Sequence, residues 1–190
     1  MKKGLEKFYD LVDAFESLPT IGKKSALRLA YHIVMNDSYS GIKIAHSIEN
    51  ALRNIKKCIK CGSMSEHEIC EVCLDDSKDH SKVCIVQSAK DIFIIEESKQ
   101  FDGLYFVIEE LDPESLDRLI HFIKDNETTD VLFAITPSLS NDAFILFIED
   151  KLKDFRLTFT KIAQGVPTGV SLENVDILSL AKAIQSKVNI

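Results

Sequence analysis

The chain has 190 residues, of which 45% are hydrophobic and 28% are charged, as in an ordinary globular protein. No apolar run approaches the roughly 20 residues that a membrane helix needs, and no apolar stretch follows the first lysines as in an export signal. We therefore expect a cytoplasmic protein with one large or two small cores.

The net charge of −7 argues against nucleic acid as a partner until its distribution is considered. Between Leu18 and Lys60, eight basic side chains stand against two acidic ones, which gives +6 and leaves −13 for the remainder. A basic portion attached to an acidic one is common where one face meets phosphate. An uneven but solvated surface would give the same counts, so charge alone does not decide.

Residues 1 to about 56 have the apolar spacing of helices. The first helix carries one apolar stripe and is interrupted by Pro19; the stripe is Leu5, Phe8, Leu11, Val12 and Phe15. A second helix is predicted from Lys23 to about Met35, with these residues inward: Ala26, Leu29, Ala30 and Ile33. A third helix is predicted after a turn at residues 36–38, and it uses Ile44, Ile48, Ala51, Leu52 and Ile55.

A short glycine-containing turn joins the first two helices, over Leu18–Ala26. The free N–H groups and the dipole at the start of the second helix favour an anion. Lys23, Lys24 and Arg28 lie in its first turn and a half, where lysine is unfavourable unless a phosphate supplies negative charge. The pattern resembles a helix-hairpin-helix, which grips the DNA backbone without reading sequence. An ordinary interhelical turn is the alternative.

Four of the five cysteines form two Cys-x-x-Cys pairs with eight residues between them: Cys58, Cys61, Cys70 and Cys73. This spacing brings four sulfurs to one ion in the tetrahedral set that zinc prefers. Gly62 follows the first pair and lets backbone N–H groups turn toward sulfur. We predict a closed structural Zn²⁺ site, in a segment that could hardly fold without the ion.

Disulfides and unrelated core cysteines are the alternative interpretations of the two pairs, and a reducing cytoplasm disfavours the first. His67 and His80 flank the cluster, but four suitably spaced cysteines leave no vacancy for either ring. Cys84 stands alone in an apolar run and is predicted to be a buried strand residue.

Residues 81 to about 165 alternate apolar strands with helical stretches, which predicts a parallel sheet with crossover helices. The predicted strands are Val83–Gln87, Leu104–Ile108, Val131–Ile135 and Leu157–Thr160. The predicted helices are Lys90–Glu97, Glu114–Lys124 and Asp142–Lys153. Functional sites in parallel sheets of this kind lie at the carboxyl ends of the strands. After the sheet, a short helix near Leu178–Lys187 is predicted to follow a turn-rich loop.

In this order, the hairpin, the four-cysteine module and the α/β part resemble the RecR family of bacterial recombination mediators. Ile85–Ile92 looks like the first strand and helix of a Toprim domain, and Gln164–Gly169 looks like the family's late Gly-Val-Pro loop. The resemblance implies an α+β chain of four parts. These are a helix-hairpin-helix region (1–56), a four-cysteine zinc finger (57–80), a Rossmann-like Toprim domain (81–165) and a C-terminal oligomerisation segment (166–190).

The same resemblance implies a non-catalytic, DNA-binding clamp for recombinational repair. Lys23, Lys24 and Arg28 would face the backbone of single-stranded or double-stranded DNA, and the four paired cysteines would hold zinc. The family builds rings that encircle DNA, so a homo-oligomer, dimer or tetrameric ring, is implied. Its partners would be the OB-fold protein RecO, and RecF where present, in loading recombinase on single-stranded DNA at gaps.

The chain also departs from the family at particular positions. Thr20 stands where the hairpin usually has glycine, and Lys23 where it usually has proline. Gln87 stands where a Toprim strand usually ends in glutamate, and no acidic pair occurs in residues 136–140 after the third strand. The loop between Ile108 and Leu116 is shorter than is typical of the family.

Two other functions remain open on the sequence. A Toprim enzyme would need carboxylates at strand ends to hold magnesium against phosphate. The acids near those ends are Glu109, Glu110, Asp112 and Asp142. A zinc adaptor that binds only protein would instead make the hairpin lysines dispensable.

Overall fold

The computed structural model describes residues 4–187, and the chain divides into two compact units, Met1–Ile55 and Lys56–Ile190. The first unit is helical, and the second contains the four-cysteine module and a parallel sheet with helices. This confirms the predicted α+β fold class. None of the helices within residues 4–187 is long and apolar enough to span a membrane.

The N-terminal unit is built on a pair of packed helices. Its elements are α1 (Glu6–Glu16), α2 (Lys23–Tyr31), a π-helical turn (His32–Asn36) and α3 (Ser38–Asn54). α1 packs against α2 around Val12, Ala26 and Ala30, which are almost completely buried. The two alanines lie one turn apart on α2, and their small side chains let the two helices approach closely.

α3 adds no residue to that core. Asp37 caps α3, because its Oδ1 accepts a hydrogen bond from the Ser40 N–H at 3.0 Å. Gly41 lies directly against the Ile33 side chain, where a larger residue would collide.

The prediction that Leu29 of α2 faces inward is wrong, since 37% of its surface is exposed. The apolar side chains of α3 are exposed as well, including Ile48 at 55% and Leu52 at 79%. A two-helix hairpin buries only the stripe between its helices, so an apolar face outside that stripe stays uncovered in this unit.

The second unit begins with the small four-cysteine module. Its elements are β1 (Lys56–Lys57), β2 (Met64–Ser65) and the short helix α4 (Glu71–Leu74). β1 and β2 pair antiparallel, with Lys56 opposite Ser65 and Lys57 opposite Met64.

A four-stranded parallel sheet follows. The elements are β3 (Asp79–Val86), α5 (Ala89–Ser98), β4 (Gly103–Val107), α6 (Pro113–Asp125), β5 (Asp130–Phe133), α7 (Leu139–Lys151) and β6 (Thr158–Lys161). The strand order is β4-β3-β5-β6, and every pairing is parallel. All the predicted strands and crossover helices are confirmed, with ends shifted by a few residues.

The sheet has apolar residues on both faces because helices cover both. Ile85, Phe106 and Phe133 belong to the larger core, whereas Cys84 and Tyr105 belong to a smaller core on the opposite face. Cys84 is completely buried in β3, as predicted.

The chain continues through a 3₁₀ turn (Leu172–Asn174) into α8 (Ile177–Gln185), which confirms the predicted terminal helix. No residue of α8 is buried, and Ile177, Leu178 and Ile184 are 85%, 74% and 62% exposed. α8 therefore presents apolar side chains that the described part of the chain does not cover.

Candidate metal centre and hairpin

The two cysteine pairs occupy two tight turns of the module. In the first, the Cys58 N–H bonds the Ser63 carbonyl at 2.7 Å, and the Gly62 N–H bonds the Cys58 carbonyl at 2.9 Å. Gly62 has a φ of 78°, a left-handed conformation that glycine adopts without strain. In the second, Cys70 is the residue that precedes α4 and Cys73 lies within the helix. These turns point all four side chains to one place.

The four Sγ atoms lie within 4.8 Å of one another, and all four residues are buried. The Cys61 and Cys70 sulfurs are 3.5 Å apart. A tetrahedral zinc with Zn–S bonds near 2.3 Å places its sulfurs about 3.8 Å apart, so the cluster has the size of such a site. Backbone N–H groups of Ser63 and Cys70 point at the sulfurs of Cys61 and Cys58, at 3.4 Å and 3.3 Å.

The chemistry of the sulfurs also suits a cation. Hydrogen bonds from the crowded thiols, first Cys61 and then Cys70 and Cys73, lower the pKa of Cys58. The interaction with Cys58 in turn raises the pKa of Cys61 and Cys73. A divalent cation removes this competition for protons by stabilising all four thiolates together. The residues present therefore fit a metal ion.

Among residues 4–187, these cysteines are the only group of three or more potential ligands that converge in this way. His67 and His80 do not belong to the group. The ligand set that the sequence spacing predicts is thus brought together as a complete set of four sulfurs.

The module is joined to the edge of the sheet. The Val107 N–H of β4 donates to the Cys61 carbonyl at 2.8 Å, and the four cysteines share the main core with sheet residues. Lys57 and Glu109 form an ion pair at 2.6 Å, but both side chains are more than half exposed, so it contributes little. A metal here would stabilise the sheet as well as the module.

The helical hairpin lies in the N-terminal unit, between α1 and α2. The Ile21 N–H bonds the Leu18 carbonyl at 3.2 Å and closes a turn in which Thr20 has a φ of 68°. Thr20 stands where the hairpin of the resembled family usually has glycine. Its positive φ gives the physical reason why glycine suits this position. Ile21 packs on the α1–α2 core and anchors the turn.

The start of α2 has the properties of an anion site. Gly22 is the N-cap residue, no side chain caps it, and no acidic residue lies in the first turn. The first hydrogen bond of the helix joins the Ala26 N–H to the Gly22 carbonyl. The N–H groups of the three residues before Ala26 therefore have no partner within the helix. Lys23, Lys24 and Arg28 are exposed, and none forms an ion pair with a described residue.

The carboxyl ends of β3 and β5 carry a neutral network. Gln87 Nε2 donates to Asn141 Oδ1 at 3.0 Å, and Asn141 Nδ2 donates to the Thr136 carbonyl at 2.7 Å. Asn141 is also held by the Ser138 hydroxyl, which accepts from its N–H at 3.1 Å. An amide pair therefore lies where a Toprim enzyme would need acidic ligands.

Each of the four acidic residues near the strand ends has its own environment. Glu109 pairs with Lys57, Asp112 caps α6 and Asp142 pairs with Lys161 at 3.3 Å. Glu110 lines a 160 Å³ cavity together with Glu109 and Asp112.

Comparison with known proteins decides the family. Residues 8–52 match the family model described as RecR, helix-hairpin-helix. The chain is 53% identical over 190 residues to Recombination protein RecR of Campylobacter jejuni subsp. doylei, covering 100% of both chains. It belongs to the RecR family.

Other RecR proteins match along the whole chain too. Recombination protein RecR of Nitratiruptor sp. is 54% identical over 190 residues, with 100% of both chains covered. That of Helicobacter pylori (strain Shi470) is 45% identical over 187 residues, covering 98% of this chain and 97% of the relative. A role in recombination follows for this RecR chain, and its helical hairpin is a helix-hairpin-helix.

One residue of interest had no signal in the sequence. Arg118 lies on α6 beside Phe106, and its Nε is buried without a hydrogen-bond partner. The helical pattern of residues 114–124 places Arg118 four residues before the core residue Phe122, but a pattern does not show whether a carboxylate reaches the guanidinium.

Proposed function

We propose that this RecR chain is a non-catalytic, DNA-binding clamp in recombinational DNA repair. The observation that carries the proposal is the start of α2, where Lys23, Lys24 and Arg28 surround free backbone N–H groups and have no acidic partner. Such a site binds a phosphate of the DNA backbone, on single or double strands, without reading base sequence. The membership of the RecR family supports it.

The metal in this proposal is a structural zinc held by Cys58, Cys61, Cys70 and Cys73. Four protein ligands complete the tetrahedral shell and leave no position for a reacting water. The zinc finger would occupy residues 57–80, between a helix-hairpin-helix region at 1–56 and a Toprim domain at 81–165. The protein would act in the cytoplasm, where the thiols stay reduced.

The strand ends favour a clamp over a Toprim enzyme. Gln87 and Asn141 are neutral amides joined by one hydrogen bond, and three of the four nearby acids already pair or cap. Magnesium held against phosphate requires several converging carboxylates. Magnesium-dependent cleavage or synthesis that Glu109→Gln abolishes would overturn the clamp in favour of an enzyme.

Assembly is the second part of the proposal. Apolar side chains stay exposed on α3 and on α8 in the single chain, and segment 166–190 would provide one oligomer contact. A homo-oligomer, dimer or tetrameric ring, would present several hairpins to one DNA and raise their effective concentration. Working with RecO, and with RecF where present, this clamp would load recombinase on single-stranded DNA at gaps.

The first test is DNA binding as a function of salt. The Lys24→Ala/Arg28→Ala variant should lower affinity and flatten the plot of log K against log salt by about 1.4, because each phosphate on single-stranded DNA contributes about 0.7. Lys43→Ala/Arg53→Ala is the matched control, since it removes one lysine and one arginine from α3 instead.

An equal loss in the two variants would show that net charge, rather than the hairpin, determines binding. If neither the wild type nor any variant binds DNA, even with RecO added, a zinc adaptor that contacts only protein explains the chain better.

A further inference from the structure

Arg118 of α6 carries a guanidinium that no described group neutralises by direct contact. Its Nε is buried without a hydrogen-bond partner, and its Cζ lies 5.6 Å from the centroid of the Phe106 ring. It forms no ion pair with any residue in 4–187. A buried N–H of a charged group without a partner is costly, so an anion that reached this guanidinium would be held strongly.

The carboxylates on one side of Arg118 make no hydrogen bond or ion pair with it, although its charge adds to the hydrogen bonds from Ser115 that lower the pKa of the Asp112 carboxyl. Both Asp112 oxygens accept hydrogen bonds from Ser115, one from its N–H at 2.9 Å and one from its hydroxyl at 2.8 Å. Glu109 pairs with Lys57 at 2.6 Å. Glu110 lines the same 160 Å³ cavity but makes no ion pair with Arg118.

The other side of Arg118 opens into a cavity of 250 Å³ between the first cysteine turn and α6. Lys60 and His121 line it together with Arg118, and Ile59 adds an apolar side chain that is 63% exposed. Asp125 is the one acid in the lining, and it forms no ion pair with Arg118 or Lys60. The cavity therefore carries a net positive charge.

Two contacts constrain the side chains that line this cavity. His121 Nδ1 lies 2.7 Å from the Asp117 carbonyl, a contact that fixes the orientation of the ring in the cavity wall. Gly62 lines the other cavity, and a Cβ there would lie 3.0 Å from Arg118 Nη2, so glycine at this turn leaves space for the guanidinium.

We propose that Arg118 and Lys60 bind a backbone phosphate of single-stranded DNA in this cavity. The planar fork of arginine matches phosphate oxygens in two hydrogen bonds, and the exposed Ile59 side chain suits the sugar or base beside that phosphate. This inference rests on the proposed DNA-binding function and adds a second contact, in the unit that does not contain the hairpin.

The test compares Arg118→Gln with Lys124→Gln in the full-length protein. Both remove one positive charge from α6, but Lys124 lies over the Phe155 ring and does not line the cavity. Arg118→Gln should weaken binding of an oligo-dT strand about tenfold and flatten the salt slope by about 0.7, whereas Lys124→Gln should do neither. Asp125→Asn should strengthen binding, an effect that a purely structural role for Arg118 would not produce.

Thermal unfolding and metal content confirm that each variant is folded, and Asp125→Asn provides an independent test if Arg118→Gln is not. Equal affinity and slope in Arg118→Gln and Lys124→Gln would overturn the second contact, and the hairpin variant would still test the clamp. A wild-type protein that binds no DNA would overturn both proposals. If inorganic phosphate stabilises the wild type but not Arg118→Gln, while DNA binding is unchanged, the cavity holds a free anion and the DNA assignment is wrong.

Discussion

Cys61 shows how one residue links the metal cluster to the sheet. Its sulfur lies 3.5 Å from that of Cys70, and its carbonyl accepts the Val107 N–H of β4. Cys61→Ser should therefore release the metal and lower the melting temperature, because the binding energy of such a site is folding energy. Metal content and thermal unfolding of freshly purified protein measure both effects.

Cys84→Ser is the matched control for that substitution. Cys84 is completely buried outside the cluster, and burial raises the pKa of its thiol to about 12, so it stays protonated. Its replacement should cost stability by burying a hydroxyl in an apolar core, while the metal content stays at one ion per chain. Cys61→Ser protein with full metal content and normal stability would contradict the structural role.

Single residues also mark what sequence alone can and cannot reveal. The four cysteine ligands are predictable because the Cys-x-x-Cys spacing is itself a geometric constraint. The left-handed φ of Thr20 is hidden, since threonine usually avoids it and only comparison with the family's glycine points to it. Arg118 is hidden for another reason: whether an arginine has a partner depends on which residues the fold brings near it.

Helix starts make part of the stability depend on pH. Asp37, Asp112 and Asp176 each accept a backbone N–H at the start of α3, α6 and α8. At Asp112 the backbone and hydroxyl hydrogen bonds from Ser115 lower the carboxyl pKa. A group whose pKa is lowered by folding stabilises the protein above its unfolded value of about 3.9 and loses that contribution as the pH falls below it.

Asp112→Asn isolates this contribution. Asparagine caps a helix about as well but does not titrate, so the variant should lose less stability between pH 6 and pH 3 than the wild type. Urea unfolding across that range measures the difference. Asp117→Asn removes the same charge from α6 without altering the cap, and a similar flattening there would show that general charge repulsion is responsible.

At the level of elements, the sheet is the most predictable part. A continuous apolar run such as Val83–Val86 fits a strand covered on both faces, and the alternation with helices fixes parallel pairing. The helical unit is less predictable. Leu29 and Leu52 have helical spacing, but amphipathicity shows only that a face is apolar and not which part of the same chain covers it.

These uncovered faces lead to a prediction about the whole molecule. Ile48 of α3 and Ile184 of α8 are 55% and 62% exposed, and both helices carry further exposed apolar side chains. A stable interface of standard size buries about 800 Å² on each partner, and exposed apolar helix faces of this kind are where such an interface forms. A face that pairs with the same face of another copy joins only two chains. Two different faces of this kind on one chain can join four chains into a closed ring.

In the proposed tetrameric ring, Ile48→Glu and Ile184→Glu should each leave a dimer, and the double variant should be a monomer. Folding of the single chain should survive, because each side chain is mostly exposed within it. Asn50→Glu and Gln185→Glu place the same charge elsewhere on α3 and α8 and should leave the mass unchanged. Mass measured by light scattering over a range of concentrations decides the point, and a wild-type protein that stays monomeric throughout would contradict the clamp. DNA affinity should fall in step with the number of hairpins per particle, because the loss is in effective concentration while each hairpin stays intact.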